Sequence, residues 1–168
     1  MLVSEGFASF FRDEYRPVVL YLLKSGASGA EAEDAVQEAM IQAYQAWDRI
    51  RSPRAWVRKA AFSCYLRQKE KVNKETRVAD PEALMADHTS PTGDDHYEER
   101  LRVVTLIRRL PAQQRQVAAL FYDGLSLAEI AEVTGKPVAT VRSLLRHARN
   151  RLKEVVHSEG LDSADVTP

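Results

Sequence analysis

The chain has 168 residues with 24 basic and 24 acidic side chains, a length that accommodates one ordinary domain or two small ones. A single cysteine, Cys64, excludes an intrachain disulfide and any Cys-x-x-Cys metal or redox site, and no apolar run approaches the roughly 18 residues of a spanning helix. The neutral total conceals segregation: residues 1–48 carry three basic and eight acidic side chains, 49–77 ten and two, 78–99 none and seven, 100–153 eleven and three, and the tail from 154 only four acids.

From Glu5 to Leu23 the residues Phe7, Phe10, Phe11, Tyr15, Val18, Val19, Leu22 and Leu23 keep a helical spacing, with Pro17 a candidate kink. Residues 24–29 read as a loop. A second helix is expected from about Ala30 to Trp47, burying Ala32, Val36, Ala39, Met40, Ala43 and Trp47 and showing Glu31, Asp34, Gln37 and Glu38 on its other side. Ser52 and Pro53 suit the N-cap and first position of a third helix. Its apolar residues are Ala55, Trp56, Val57, Ala60, Ala61, Tyr65 and Leu66, interleaved with Arg54, Arg58, Lys59, Arg67, Lys69 and Lys71.

The pattern fails from about Arg77 to Asp95, where Asp80-Pro81, Ser90-Pro91 and Thr92-Gly93 favour turns and every charge is acidic beyond Arg77. This segment reads as a flexible linker. Beyond it a helix is expected from Tyr97 to Leu110, and Pro111 opens another that carries Val117, Leu120, Phe121 and Tyr122. Ser126 and Glu129 then have capping-box spacing ahead of Leu127, Ile130, Ala131 and Val133. Gly135 ends that short helix, and Pro137 begins a longer one whose Val138, Val141, Leu144, Leu145, Ala148 and Leu152 form one face. Lys136, Arg142, Arg146 and Arg149 fall mostly on the remaining arc. Two helices, a glycine turn and a cationic outer face read as a DNA-binding helix-turn-helix.

The expected fold class is therefore all-α: two small helical bundles, residues 1–76 and 97–156, joined by an acidic flexible linker at 77–96 and followed by a polar tail at 157–168. Two basic blocks divided by an acidic spacer suggest two contacts with a polyanion, because each cation near a phosphate releases counterions. The four histidines are scattered, none pairs with Cys or a carboxylate at metal-ligand spacing, and neither a Gly-rich phosphate loop nor a nucleophile elbow is present. No cofactor, metal or catalysis is expected. The N-terminus lacks a basic segment followed by an apolar core, so the expected location is cytoplasmic.

Three blocks together resemble one family. Ala-Glu-Asp-Ala-Val-Gln-Glu-Ala-Met at 32–40 looks like region 2.2 of the extracytoplasmic-function (ECF) bacterial sigma factors, and Ser-Pro-Arg-Ala-Trp-Val-Arg-Lys-Ala-Ala at 52–61 looks like their regions 2.3 and 2.4. Leu-Pro-Ala-Gln-Gln-Arg-Gln-Val-Ala-Ala-Leu at 110–120, with the helix-turn-helix, looks like region 4. The resemblance implies a subunit that gives RNA polymerase its promoter specificity. It implies that Asp34, Gln37 and Glu38 dock on the clamp helices of the polymerase's largest subunit, that region 4 also meets the flap, and that an anti-sigma factor holds the protein inactive. It further implies that Arg54, Arg58, Lys59, Arg67 and Lys69 serve capture of the melted minus-10 element. The reading helix would then enter the major groove at the minus-35 element, with Thr140, Arg142, Ser143 and Arg146 near base edges and Lys136 and Arg149 on phosphates. Arg115 is a further phosphate candidate. Trp56 reads as core, and Tyr65 or Phe62 as either core or a base-stacking ring.

One departure stands out: the family's usual Arg-Asn pair after the tryptophan block is Phe62-Ser63 here, so those contacts do not carry over. Two other readings compete with the resemblance. A conventional helix-turn-helix regulator would need neither the second basic block nor the region 2-like helices, and an adaptor that sequesters a partner would need no DNA-facing cations.

Overall fold

The computed structural model describes residues 2–75 and 97–160. Seven α-helices appear among them: α1 (Leu2–Lys24), α2 (Gly29–Gln45), α3 (Pro53–Glu75), α4 (Tyr97–Arg108), α5 (Ala112–Tyr122), α6 (Leu127–Thr134) and α7 (Val138–Ser158), with a single 3-10 turn at Trp47–Arg49. The described residues contain no strand. The expected linker at 77–96 and most of the expected tail lie outside the described residues, although α7 continues through His157 and Ser158, two residues past the expected start of that tail.

Local chemistry explains most of the boundaries. Ser28 caps α2 through a complete capping box: its hydroxyl accepts from the Glu31 amide at 3.3 Å, and its own amide donates to the Glu31 carboxylate at 2.8 Å. Pro53 occupies the first position of α3 as expected, whereas Pro111 and Pro137 stand one residue outside α5 and α7 as extended N-caps. Their fixed φ suits either place, and neither needs an amide there. Pro17 lies inside α1 without ending it. A proline there forfeits one backbone hydrogen bond, and burial of Val18, Tyr21 and Leu22 on the same helix offsets that loss.

Helices α1–α3 form one bundle, in which α2 packs on both α1 and α3, and α4–α7 form the other, centred on α7 against α5 and α6. The bundles expected from the periodicity are both there, and they pack against each other: α1 meets α4 and α5, and α3 meets α6. The buried residues form a single cluster that runs from Val18, Tyr21 and Met40 through Ile107 and Leu120 to Leu145 and Ala148. Periodicity identifies which face of a helix is buried but not which neighbour covers it, so this contact was invisible in the sequence.

Candidate nucleic-acid interface

The helix-turn-helix has the geometry its residues dictate. Ser126, in extended backbone at φ −69° and ψ 161°, accepts from the Glu129 amide at 3.2 Å and donates its own amide to the Glu129 carboxylate at 2.8 Å. The backbone hydrogen bond from Ser126 holds the Glu129 carboxyl below its usual range. A depressed folded-state value means that the stabilisation is present above the ordinary glutamate range and is lost as pH falls through the folded value. Glu129→Gln should therefore flatten that part of the acid limb of a stability-versus-pH curve, measured by thermal melts at successive pH values.

Gly135 ends α6 in the left-handed region at φ 67°. A β-carbon there would meet nothing within 4 Å, so the demand for glycine is purely conformational. Gly135→Ala is expected to cost about 1–2 kcal/mol through backbone strain alone, read as a lowered melting temperature with unchanged helicity at 25 °C.

Helix α7 presents Thr140, Arg142, Arg146 and Arg149 to solvent, while Lys136 and Ser143 are half-buried. Val141, Leu145 and Ala148 bury the opposite face. The Arg149 guanidinium lies over the Phe121 ring, 4.9 Å from its centroid, which fixes the direction of that side chain along the helix. Between α5, the start of α6 and α7 runs an open groove with Phe121, Leu127 and Leu145 on its floor and Arg142, Arg146 and Arg149 among its walls.

The cations of α3 are distributed very differently. Lys59 is exposed. Lys69 donates to the Tyr65 hydroxyl at 3.2 Å and stands over that ring, and Tyr65 itself is buried. Arg67 pairs with Glu38 on α2, and the same carboxylate accepts from Gln68 at 3.2 Å and Gln42 at 3.4 Å. Glu38 is thus half-buried in a network that ties α2 to α3, whereas Asp34 and Gln37 are exposed. Arg54 bonds Glu14 at 3.0 Å and the Asp123 carbonyl at 3.1 Å. Arg58 is fully buried between Glu14, at 2.8 Å, and the Asp123 carboxylate. In this arrangement its guanidinium is out of reach of a phosphate. Trp56 and Phe62 are partly buried against the core, and Arg115 lies against the Gly26 turn with its Nη1 3.3 Å from where a β-carbon would be.

Sequence periodicity missed one surface feature. Ile41 and Tyr44 are 59% and 54% exposed, and with Asp34 and Gln37 they occupy positions i, i+3, i+7 and i+10 of α2, a single stripe. Tyr44 also meets Phe7 of α1 edge-on at 5.2 Å, and Phe11 is exposed nearby on α1. The i+4 and i+3 spacing of Ile41 from Gln37 and Glu38 was the available signal.

Family models match both bundles: Sigma-70 region 2 over residues 10–71 and Sigma-70 region 4 over residues 100–152. The ECF RNA polymerase sigma factor RpoE of Cereibacter sphaeroides is 30% identical over 153 residues, covering 88% of this chain and 84% of that protein. The chain belongs to the ECF group of the sigma-70 family. It is a promoter-directing sigma factor of RNA polymerase. The ECF sigma factor SigC of Mycobacterium tuberculosis is 31% identical over 88% of this chain and 80% of its own.

Among solved structures, the sigma factor RpoE in complex with the anti-sigma factor NepR from Bartonella quintana superposes with a TM-score of 0.73 at 21% identity, covering 91% of this chain and 98% of that one. CnrH in complex with the cytosolic domain of CnrY gives 0.66 at 20% identity, over 92% and 90%. These two likenesses concern the fold. Matches to both regions in one chain set aside the conventional regulator that acts without polymerase, and the families matched are transcription initiation factors. No described helix is long and apolar enough to cross a membrane. Among the described residues, no group of three or more His, Cys, Asp or Glu is placed to hold a metal ion.

Proposed function

We propose that this sigma factor divides its work among three faces: α2 and α1 bind the polymerase core, α3 captures the melted minus-10 element, and α7 reads the minus-35 element in the major groove. The observation that carries the reading is the exposed pair Arg142 and Arg146, one turn apart on α7 with Thr140 exposed in the first turn, held outward by burial of Val141, Leu145 and Ala148. For α3 the surface cations are Lys59, Arg67 and Lys69, and Arg54 and Arg58 join them when freed from Glu14 and Asp123. Core docking rests on Asp34 and Gln37 together with Ile41 and Tyr44, an acidic and apolar stripe suited to a basic groove with an apolar floor. The setting is the bacterial cytoplasm, where polymerase works. An anti-sigma factor is the regulatory partner, a reading supported by the anti-sigma complexes of the two related structures.

Transcription by sigma-free core polymerase on a pooled genomic promoter library tests the whole assignment. Discrete start sites sharing an upstream pair of motifs are expected. Absence of initiation, with the protein still shifting duplex DNA, would refute it. The docking face has its own check: Ile41→Glu should weaken core binding in a pull-down or polarisation assay by tenfold or more, on the order of 1.4 kcal/mol or above for a buried interface side chain replaced by a charge. Its effect on duplex DNA binding by the isolated protein should be negligible.

A further inference from the structure

Arg58 is the largest fully buried side chain among the described residues. Its partners come from both domains. Glu14 belongs to α1 of region 2, while Asp123 belongs to the turn between α5 and α6 of region 4 and lies 65 residues away in sequence. The Asp123 carboxylate takes Arg58 Nε, and its backbone carbonyl accepts from Arg54 Nη2 at 3.1 Å. Gly124, at φ 84°, turns the chain immediately afterwards and leaves a β-carbon site 3.9 Å from Arg54 Nη2. Burial pushes the Lys24 ammonium below its usual range, and the negative charge of Asp123 opposes that push. Two region 2 cations thus meet one region 4 residue, Arg58 at its carboxylate and Arg54 at its backbone carbonyl. Helix α6, the first helix of the helix-turn-helix, is held against α3 beside this contact.

A cation fixed in this way is unavailable to DNA. Desolvating the guanidinium is costly, and the contact is favourable only while both carboxylates remain in place. Chain connectivity does not enforce it: 21 residues separate Glu75 from Tyr97, a stretch that can span up to about 70 Å. The closed arrangement is therefore a matter of interface energetics, in which apolar packing of α1 on α4 and α5 joins the ion pair at Arg58.

We propose that Asp123 is an intramolecular latch: its carboxylate occupies Arg58 and keeps regions 2 and 4 closed on each other in the free protein, and DNA phosphates gain this buried cation only when Asp123 withdraws. The latch rests on the functional reading only in its second half. Its first half, closure, is measurable without polymerase or promoter.

The test compares the full chain with Asp123→Ala by small-angle scattering, with helicity followed by circular dichroism. The closed form of a 168-residue chain has an expected radius of gyration of about 15 Å, and opening of the variant should raise the measured value by about a fifth or more with helicity retained. A single-stranded oligodeoxynucleotide of twelve residues, used as the probe, should bind the variant several-fold more tightly than the parent at the same salt. Unchanged size and unchanged oligonucleotide affinity would overturn the latch. So would loss of helicity, because Asp123 would then be part of the folding core rather than a releasable contact. Asp123→Asn provides the graded control, since its side-chain oxygen still accepts from Arg58, and it should fall between the two. A parent protein that fails to direct transcription would refute the functional reading and leave the scattering result standing.

Discussion

Replacing Arg58 by alanine should cost up to about 3–5 kcal/mol of stability, the range found when one partner of a buried ion pair is removed, with opening of the two bundles relieving part of it by returning Asp123 to water. The loss comes from orphaned charge. Glu14 and Asp123 are only 14% and 9% exposed at their side chains, and both lose the guanidinium that compensates their burial. The substitution also empties the volume of the largest fully buried side chain. A chain of this size loses ~2–4 °C of melting temperature per kcal/mol, so a drop on the order of 10 °C is expected in a thermal melt.

Arg58→Lys should recover only part of the loss. A lysine is a point charge and cannot fork between Glu14 and Asp123 as the planar guanidinium does. A triple variant carrying Arg58→Met, Glu14→Gln and Asp123→Asn should recover more, because it removes the charges together and keeps the packing. If alanine at 58 were neutral for stability, the ion-pair cluster would be a surface ornament and its burial would have no energetic meaning. Arg54→Ala offers the contrast. Its side chain is 46% exposed, and exposed pairs are worth ~0–1 kcal/mol.

The features legible in the sequence are those whose cause is local. Ser126-x-x-Glu129, Gly135 and Pro137 specify a cap, a left-handed turn and a helix start within twelve residues, and each acts on its immediate neighbours. The alternation of Val141, Leu145 and Ala148 with Arg142, Arg146 and Arg149 likewise places the cationic face outward. The same rule applied to Ser28 and Glu31 identifies a second capping box, which the loop reading of residues 24–29 passes over although the spacing is identical.

Arg58 shows where local reading stops. On α3 it stands four residues after Arg54 and among charged neighbours, so composition makes it a surface cation. The next turns of that face are Ala61 and Tyr65, both buried, and the covering surface comes from Asp123 in the other bundle. No periodicity within α3 contains that information. Glu38 is a milder case: its acidic neighbours suggest a free surface stripe, but the partners that half-bury it, Arg67 and Gln68, belong to the following helix. Ile41 is the converse, an apolar side chain left 59% exposed, and the proposed docking on polymerase would cover it.

Arg146→Ala should lower promoter-specific transcription by about 5- to 150-fold, the equivalent of the 1–3 kcal/mol that one bidentate arginine–guanine pair contributes to discrimination. Arg146 is exposed one turn beyond Arg142, on the side of α7 opposite buried Val141 and Leu145, so truncation removes reach toward a base without opening a cavity. Stability should change by less than about 0.5 kcal/mol, as at other surface sites. Binding to core polymerase through the proposed Asp34–Gln37–Ile41–Tyr44 stripe should be unaffected, because that stripe belongs to the other bundle.

The position-specific signature separates Arg146 from a plain phosphate contact. In a promoter library, loss of Arg146 should relax preference at one base pair of the upstream element while others keep their hierarchy. Lys136→Ala should instead weaken all promoters alike and reduce the salt slope of binding by about one unit. Arg149→Ala should behave as Lys136→Ala does on DNA, with an added stability loss of about 0.5–1 kcal/mol from the broken stack on Phe121. Equal loss of core binding and promoter reading on truncation of Arg146 would mean that α7 contacts polymerase as well as DNA, and the proposed division of labour between the two bundles would fail.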